Sequence, residues 1–579
     1  MFKLLKYLKP YFWLIILIII LTFGQVMANL ELPSYMAKIV DEGIIGGDSH
    51  LIFSIGLLML FISLLGMIAT VGAGFLAARI STGFSMKMRE RVFSKVESFS
   101  LVEFNKFSTA SLITRSTNDI QQLQTVIFMM LRMMIMAPIT GVGAIYKAYH
   151  TAPSMTWIMG LAVLVLLSII LCLFFIAVPR FKKVQELIDK LNLLVRENLT
   201  GLRVIRAFNS EKHEESKFDQ ANEDLTKINI FLNRMMGIMQ PAMMFIFNIT
   251  SLLVIWVGAQ LISTGSLQVG SMIAFMQYSM QVLFAFMMMS MLFIMIPRAS
   301  VSGVRIAEIL NTELTIKEPE NAQAFPDKVC GLVEFKNVTF AYPGAEYPVL
   351  EGISFKARPG QITAIVGSTG CGKSTLVNLI PRFYDVSYGH VRVDEVDVKK
   401  IKIKDLNDKI GYVPQKGVLF SGSIESNIKY GVPKATEKEV KAAVKIAQAT
   451  EFIEKNSEKY KAAISQGGVN VSGGQKQRLS IARALIKKPE IYIFDDSFSA
   501  LDFKTDAALR QALVKETEKS TVLIVAQRVS TVINADQIIV LNFGKIVGIG
   551  KHQDLMKSCD VYQEIALSQL SPEELESIK

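Results

Sequence analysis

Gly367-Ser-Thr-Gly-Cys-Gly-Lys-Ser-Thr375 is the stretch from which the rest of the chain is read. It follows the β-branched run Gln361-Ile-Thr-Ala-Ile-Val366 and precedes the helix-like run Leu376-Val-Asn-Leu-Ile380. Strand, glycine-rich turn and helix form the context of a phosphate-binding P-loop. Gly367, Gly370 and Gly372 allow a tight turn whose N–H groups aim at phosphate oxygens, with Ser368, Thr369 and Cys371 between them. The helix that follows adds its positive end. Lys373 brings a point charge to the β- and γ-phosphates, Ser374 offers a hydroxyl to Mg²⁺, and Thr375 completes the motif. The expected ligands are ATP or GTP with Mg²⁺.

The 579 residues exceed one ordinary domain, and a hydrophobic content of 51% with mean hydropathy +0.37 exceeds that of a soluble chain. The apolar residues crowd the first half in runs long enough to cross a bilayer. We read six spans, near 11–32, 52–78, 127–149, 154–178, 238–262 and 271–297. The first is too long for a cleavable signal peptide and lacks a small-residue cleavage site. Ahead of it, residues 1–10 read as a short amphipathic helix on the membrane surface, with Pro10 turning into the span. The net charge of +11 fits cytoplasmic loops rich in Lys and Arg, and no nucleic-acid partner is expected. The four cysteines are scattered, which excludes a disulfide framework or a metal site.

Connections between the spans alternate short and long. The long segments 79–126 and 179–237 are helical in pattern, and the second carries Arg180, Lys183, Lys190, Arg196, Arg203 and Arg206. The short loop after span one carries Asp41, Glu42 and Asp48. The positive-inside rule therefore predicts cytoplasmic long segments and cytoplasmic termini in a multi-pass cell-membrane protein. Two points in these segments, residues 102–107 and 201–215, read as elbows pressing on a nucleotide-binding domain. Arg132 within span three faces either a substrate path, a structural partner or the interface. Met243, Met244, Met276, Met287 and many others in the spans suit a cavity that repacks around amphipathic small molecules, and they equally suit gap-filling between helices and lipid.

After the linker, Val333-Glu-Phe-Lys-Asn-Val-Thr-Phe-Ala-Tyr342 alternates as a strand and ends in an aromatic able to stack on adenine. Gln415 ends the run Gly411-Tyr-Val-Pro-Gln415, within reach of Mg²⁺ and the γ-phosphate. Ser472, Gly473, Gly474 and Gln475 open a second helix with an anion-binding start. Asp495 ends the strand Ile491-Tyr-Ile-Phe-Asp495 as a Mg²⁺-coordinating carboxylate. Ser499-Ala-Leu-Asp502 follows, and Gln527 comes next after the last buried strand, Thr521–Ala526.

P-loop, Val471-Ser-Gly-Gly-Gln475 and Ser499-Ala-Leu-Asp502 stand in the order and spacing of the ABC exporters, and the whole chain resembles a half-transporter of that family. The resemblance implies an α-helical six-span transmembrane domain (1–310), a linker (311–330) and an α/β P-loop ABC ATPase domain (331–579). It implies Tyr342 on adenine, Gln415 in the Q-loop, Asp502 in the D-loop, and ATP sandwiched between one chain's P-loop and a second half-transporter chain's Ser-Gly-Gly-Gln. Two positions depart from the family's active pattern. Asp496 stands where a catalytic Glu is usual, and Gln527 where a His is usual. None of His50, His150, His213, His390 and His552 lies nearby in the sequence. These departures resemble the degenerate-site chain of heterodimeric multidrug exporters. The alternatives are a homodimeric lipid or peptide exporter, or an ATP-binding subunit that gates a partner without pumping.

Overall fold

The computed structural model describes residues 2–326 and 331–569; for residues 2, 3, 174, 178, 182, 293, 294, 297 and 298 the description is limited to the backbone. The described residues form two compact units. One joins the residues up to Glu97 with Thr109–Thr312. The other joins Ser98–Ser108 with the residues from Glu313 onward.

The first unit is helical throughout and has six helices long and apolar enough to cross a membrane. The first runs Phe12–Lys38 and continues through a π-helical turn, Ile39–Ile44. It therefore ends well past residue 32, because Pro33 is accepted inside it. Membrane helices tolerate proline where neighbouring helices satisfy the freed carbonyl, and Pro138, Pro179 and Pro241 sit inside later helices in the same way. Ser49–Glu97, Thr156–Ala207 and Glu211–Ser263 have 49, 52 and 53 residues. At 1.5 Å per residue each is roughly 75–80 Å long, against a hydrocarbon core of about 30 Å, so the connection 179–237 is a continuation of its two spans, and the connection 79–126 continues the second span as far as Glu97. Ahead of Phe12 the chain forms a four-residue helix and a 3₁₀ turn, Lys6–Tyr11, that contains Pro10. Part of the expected amphipathic segment lies outside the described side chains.

Four polar side chains of this unit make contacts that tie its helices together. The Arg132 guanidinium lies in a π-helical turn, Met130–Met134, and donates to the Thr70 carbonyl at 3.0 Å. A charge that the sequence left with several roles is thus seated on span-two backbone. Lys147 pairs with Glu31 at 2.6 Å, and Tyr278 donates to the Leu30 carbonyl at 3.0 Å. Asp41 accepts the Gly270 N–H at 2.7 Å, where an added Cβ would stand 2.4 Å from the Ala37 carbonyl oxygen. The first and sixth helices approach this closely because Gly270 has no side chain.

The second unit holds two main sheets. Strands Leu350–Ala357, Val333–Phe340, Tyr388–Val393 and Val396–Asp397 form an antiparallel sheet in that order. A six-stranded sheet runs Lys545–Gly550, Gln537–Asn542, Ile362–Gly367, Thr521–Val525, Ile491–Asp495, Ile410–Val413. All its neighbours are parallel except the Lys545–Gly550 edge. Its central strands are buried throughout, as a parallel sheet covered on both faces requires. Side chains of Leu523, Val525, Ile493 and Ile491 enter one core, and Val522, Ile524, Phe494 and Tyr492 the other. Such a sheet binds ligands at the carboxyl ends of its strands, and four of those ends carry the groups described next.

Candidate functional site: the ends of the parallel strands

The strand Ile362–Gly367 turns into the helix Lys373–Asn378 through the glycine-rich loop. Gly367 pairs with Leu541 on the neighbouring strand, and a Cβ on it would meet the Leu541 carbonyl oxygen at 2.2 Å. Gly372 takes φ +100° at the cap of the helix. Both positions therefore need glycine for backbone reasons. The Lys373 ammonium is buried in the loop and donates to the Gly367 and Ser368 carbonyls at 2.8 and 2.7 Å.

Two neighbours of Lys373 make the site's further connections. Ser374 Oγ donates to Asp495 Oδ1 at 2.7 Å, joining the helix start to the end of the strand Ile491–Asp495. Hydroxyl and carboxylate are hard oxygen donors of the kind Mg²⁺ takes beside phosphate, so the pair and the glycine-rich loop fit a Mg²⁺–nucleoside triphosphate. Thr375 Oγ1 lies 2.9 Å from the Tyr342 hydroxyl. The Tyr342 ring stands edge-on to Phe340 and to Tyr384.

Asp496 lies just beyond the strand, at φ +48°. Its N–H donates to the Val525 carbonyl at 3.0 Å, which holds this left-handed turn. Two amides converge on its Oδ2. Gln415 reaches it from beyond Ile410–Val413 at 3.2 Å, and Gln527 from beyond Thr521–Val525 at 2.7 Å. Asp495 and Asp496 are both buried. Burial pushes both carboxyls above the ordinary aspartate value. Asp496's charge adds to the effect on Asp495, while the Ser374 bond lowers Asp495 and the Gln415 bond lowers Asp496. Net upward shifts mean that the hydrogen bonds do not fully repay the desolvation of the charge.

The structure thus gathers Tyr342, the loop 367–375, Gln415, Asp495, Asp496 and Gln527 through direct contacts. It does not join Ser472–Gln475 to them. Ser472 caps the helix Gly473–Leu485 by accepting the Gln475 N–H at 3.3 Å, and the Gln475 side chain accepts the Ser472 N–H at 2.9 Å. This reciprocal capping box leaves Ser472 and Gly473 exposed. Asp502 is likewise exposed and caps the helix Phe503–Glu516; the Thr505 N–H, at 2.9 Å, holds its carboxyl below the ordinary value. Sequence reasoning missed Tyr384, which neighbours Tyr342, and Glu103, whose partner is Thr315. An ordinary Arg-Phe-Tyr-Asp run and a helix-start glutamate carry no local signal for these long-range partners.

Comparison with known proteins bears on the whole chain. Residues 15–287 match the ABC transporter transmembrane region, and residues 350–499 match the ABC transporter family. An uncharacterised ABC transporter ATP-binding protein of Mycobacterium tuberculosis is 41% identical over 567 residues, covering 97% of each chain. The uncharacterised ABC transporter ATP-binding protein YfiB of Bacillus subtilis is 37% identical over 575 residues, covering 99% of this chain and 100% of YfiB. Among solved structures, a bacterial Atm1-family ABC exporter with ATP bound superposes with a TM-score of 0.80 at 25% identity, covering 97% of this chain and 99% of that one.

Proposed function

The chain belongs to the ABC transporter family, and from that premise we propose that it is one half of a two-chain exporter of amphipathic compounds, with an ATP site of its own that turns over slowly. ATP-driven transport by a multi-pass membrane protein is the family's activity. The observation that carries the finer reading is Asp496 Oδ2, engaged by the amides of both Gln415 and Gln527. A general base must reach the proton it abstracts. This carboxylate is one methylene shorter than glutamate, and the lone pairs of one oxygen are occupied by two donors.

In this reading Tyr342 stacks on adenine, the loop N–H groups and Lys373 hold the phosphates, and Ser374, Gln415 and Asp495 hold Mg²⁺. Bound Mg²⁺ neutralises charge on the phosphates and on the leaving oxygen. Lys373 exchanges the carbonyls of Gly367 and Ser368 for phosphate oxygens, so binding rearranges the loop. Gln527 donates a neutral amide and holds no transferable proton. The exposed Ser472–Gln475 end serves the second chain's nucleotide, and that chain supplies the Glu and His absent here. Closure of such a pair is driven only as far as ATP prefers the closed state.

The substrate class rests on the membrane unit. Gly237, Gln240, Pro241, Met244, Phe245 and Asn248 line a shallow cavity of about 550 Å³ on the helix Glu211–Ser263. Pro241 has no N–H to donate to the Gly237 carbonyl four residues back, and this carbonyl and two side-chain amides stand beside thioether and phenyl groups. That mixture suits an amphipathic ligand.

The test is ATP hydrolysis by the purified chain alone and then co-expressed with a half-transporter that carries Glu and His. Slow turnover alone, and fast turnover in the pair that disappears when the partner's Glu becomes Gln, is the expected result. Fast turnover by the chain alone overturns the slow-site reading and leaves a homodimeric exporter.

A further inference from the structure

Residues 527–529, just beyond the strand Thr521–Val525, are gripped by one side chain from a distant segment. Gln569 Nε2 donates to the Gln527 carbonyl at 2.9 Å, and Gln569 Oε1 accepts the Val529 N–H at 2.8 Å. Both halves of one amide are engaged by backbone groups two residues apart, as a residue on a parallel neighbouring strand would engage them. Val529 is 1% exposed, and a buried N–H needs an acceptor, which Gln569 supplies. The residues that follow have an anchor of their own, since Arg510 Nη1 donates to the Ser530 carbonyl at 3.0 Å.

Gln569 is itself fixed in place. It follows the helix Asp560–Leu567, and its N–H donates to the Ala566 carbonyl at 3.1 Å. Tyr562 and Ala566 of that helix are fully buried, in the same core as Val529 and Val532. The Tyr562 hydroxyl lies 2.7 Å from His552 Nδ1, which ties the helix to its neighbour His552–Ser558. The turn that carries Gln569 therefore has a set position, and its amide sets the backbone at Gln527. From there the Gln527 side chain reaches Asp496 Oδ2 at 2.7 Å. Gln569, Gln527 and Asp496 are joined by direct contacts inside one compact unit.

We propose that Gln569 is a positioning residue of the ATP site, which fixes the Gln527 backbone so that the Gln527 amide meets the terminal phosphate of the nucleotide. The proposal rests on the reading of Gln527 as the group beside the γ-phosphate. The amide nitrogen carries two N–H groups. One lies on Asp496 Oδ2, and the other serves a phosphate oxygen when ATP is bound. Gln527 is exposed, so packing does not hold its side chain. The sheet does not hold its backbone either. Pairing of the strand Thr521–Val525 with both neighbours ends at Val525, and Ala526 gives its N–H to the Ile365 carbonyl at 3.1 Å. Beyond Ala526 the Gln569 amide takes over from the ladder. A flexible side chain on an unheld backbone loses more conformational freedom on meeting one target, so it binds that target more weakly. ADP has no γ-phosphate, so the consequence is selective: freeing Gln527 weakens ATP and spares ADP.

The experiment is equilibrium binding of Mg·ATP and of Mg·ADP to the full-length chain, read as the ratio of the two affinities. Gln569→Ala is expected to lower the preference for ATP by about fivefold, the scale of one hydrogen bond, with ADP affinity within about twofold of the parent. Gln569→Met, which keeps the length of the side chain and removes both bonds, is expected to do the same. Gln527→Ala lowers the ratio to a similar extent. Adding Gln569→Ala to Gln527→Ala lowers it no further, because the two residues act as one unit. Equal losses of ATP and ADP affinity in both Gln569 variants overturn the proposal, since they mark a general loosening of the domain. An unchanged ratio in both variants, where Gln527→Ala lowers it, overturns it as well. So do losses that add in the double variant. A ratio that Gln527→Ala leaves unchanged refutes the reading of Gln527 itself, and the role of Gln569 falls with it.

Discussion

Replacing Asp496 by asparagine separates a working general base from a carboxylate that merely closes a hydrogen-bond cluster. The side chain keeps its shape and loses its charge. Bonds to a charged acceptor are worth about 1.5–3 kcal/mol and neutral ones about 0.5–1.5 kcal/mol, so neutralising the acceptor of Gln415 and Gln527 forfeits about 2–3 kcal/mol over the two. The upward shift of the Asp496 carboxyl says that the cost of burying its charge outweighs what its partners return. The sign follows. A group whose folded pKa lies above its ordinary 3.8 lends stability in its protonated form at low pH and loses it as pH rises through the folded value. At neutral pH the native chain carries the cost, and Asp496→Asn removes it. The nucleotide-free variant is therefore expected to melt at the same temperature as the parent or higher. Removing a functioning base lowers the chemical step by about 10²–10⁴-fold, whereas this reading expects a loss of less than about threefold. The assay is single-turnover hydrolysis of ATP by the full-length chain, with ATP affinity measured in parallel. A fall of 100-fold or more with unchanged affinity makes Asp496 the working base and refutes the argument.

Other outcomes follow from the same geometry. Asp496→Glu combined with Gln527→His supplies the longer carboxylate and an imidazole, and steady-state hydrolysis by the chain alone should rise by about 10–10²-fold; no gain would mean that neither position limits turnover. Tyr342→Ala removes a stacking surface worth about 1–3 kcal/mol per base, and equilibrium binding of Mg·ATP should weaken by about tenfold. Glu103→Ala removes the charged acceptor of the half-buried Ser100 and the exposed Thr315, a loss of roughly 1–3 kcal/mol that a thermal melt should register. Burial alone would raise the Glu103 carboxyl, but the Ser100 and Thr315 bonds outweigh it and hold it below its ordinary 4.5. This joint therefore stabilises the fold above pH 4.5 and loosens as pH falls through the lowered value, a dependence that Glu103→Ala should abolish.

The elements whose signals are local were legible in the chain. Apolar runs set the membrane helices, because a helix satisfies its own backbone inside lipid whatever its neighbours do. The P-loop was legible because glycine spacing and the lysine that follows answer to a backbone turn a few residues long. The Ser472–Gln475 helix start was legible for the same reason, its capping box being a contact across three residues. Helix ends were less so. The first span reads as ending near residue 32, whereas its helix runs through Pro33 to Lys38.

Tertiary structure alone decided which of these local pieces meet. That Arg132 rests on the Thr70 carbonyl, that Glu103 joins Thr315, and that Tyr384 stands between Asn105 and Tyr342 depends on segments separated by tens to hundreds of residues. Asp496 and Gln527 were visible as departures from a family pattern. Their shared fate, two amides on one carboxylate oxygen, appears only when three parallel strands set their ends side by side. Periodicity and turn chemistry report on a residue's immediate neighbours along the chain. Long-range pairs are selected by the packing of whole faces, where the burial of many side chains together outweighs the entropy of closing the intervening loops.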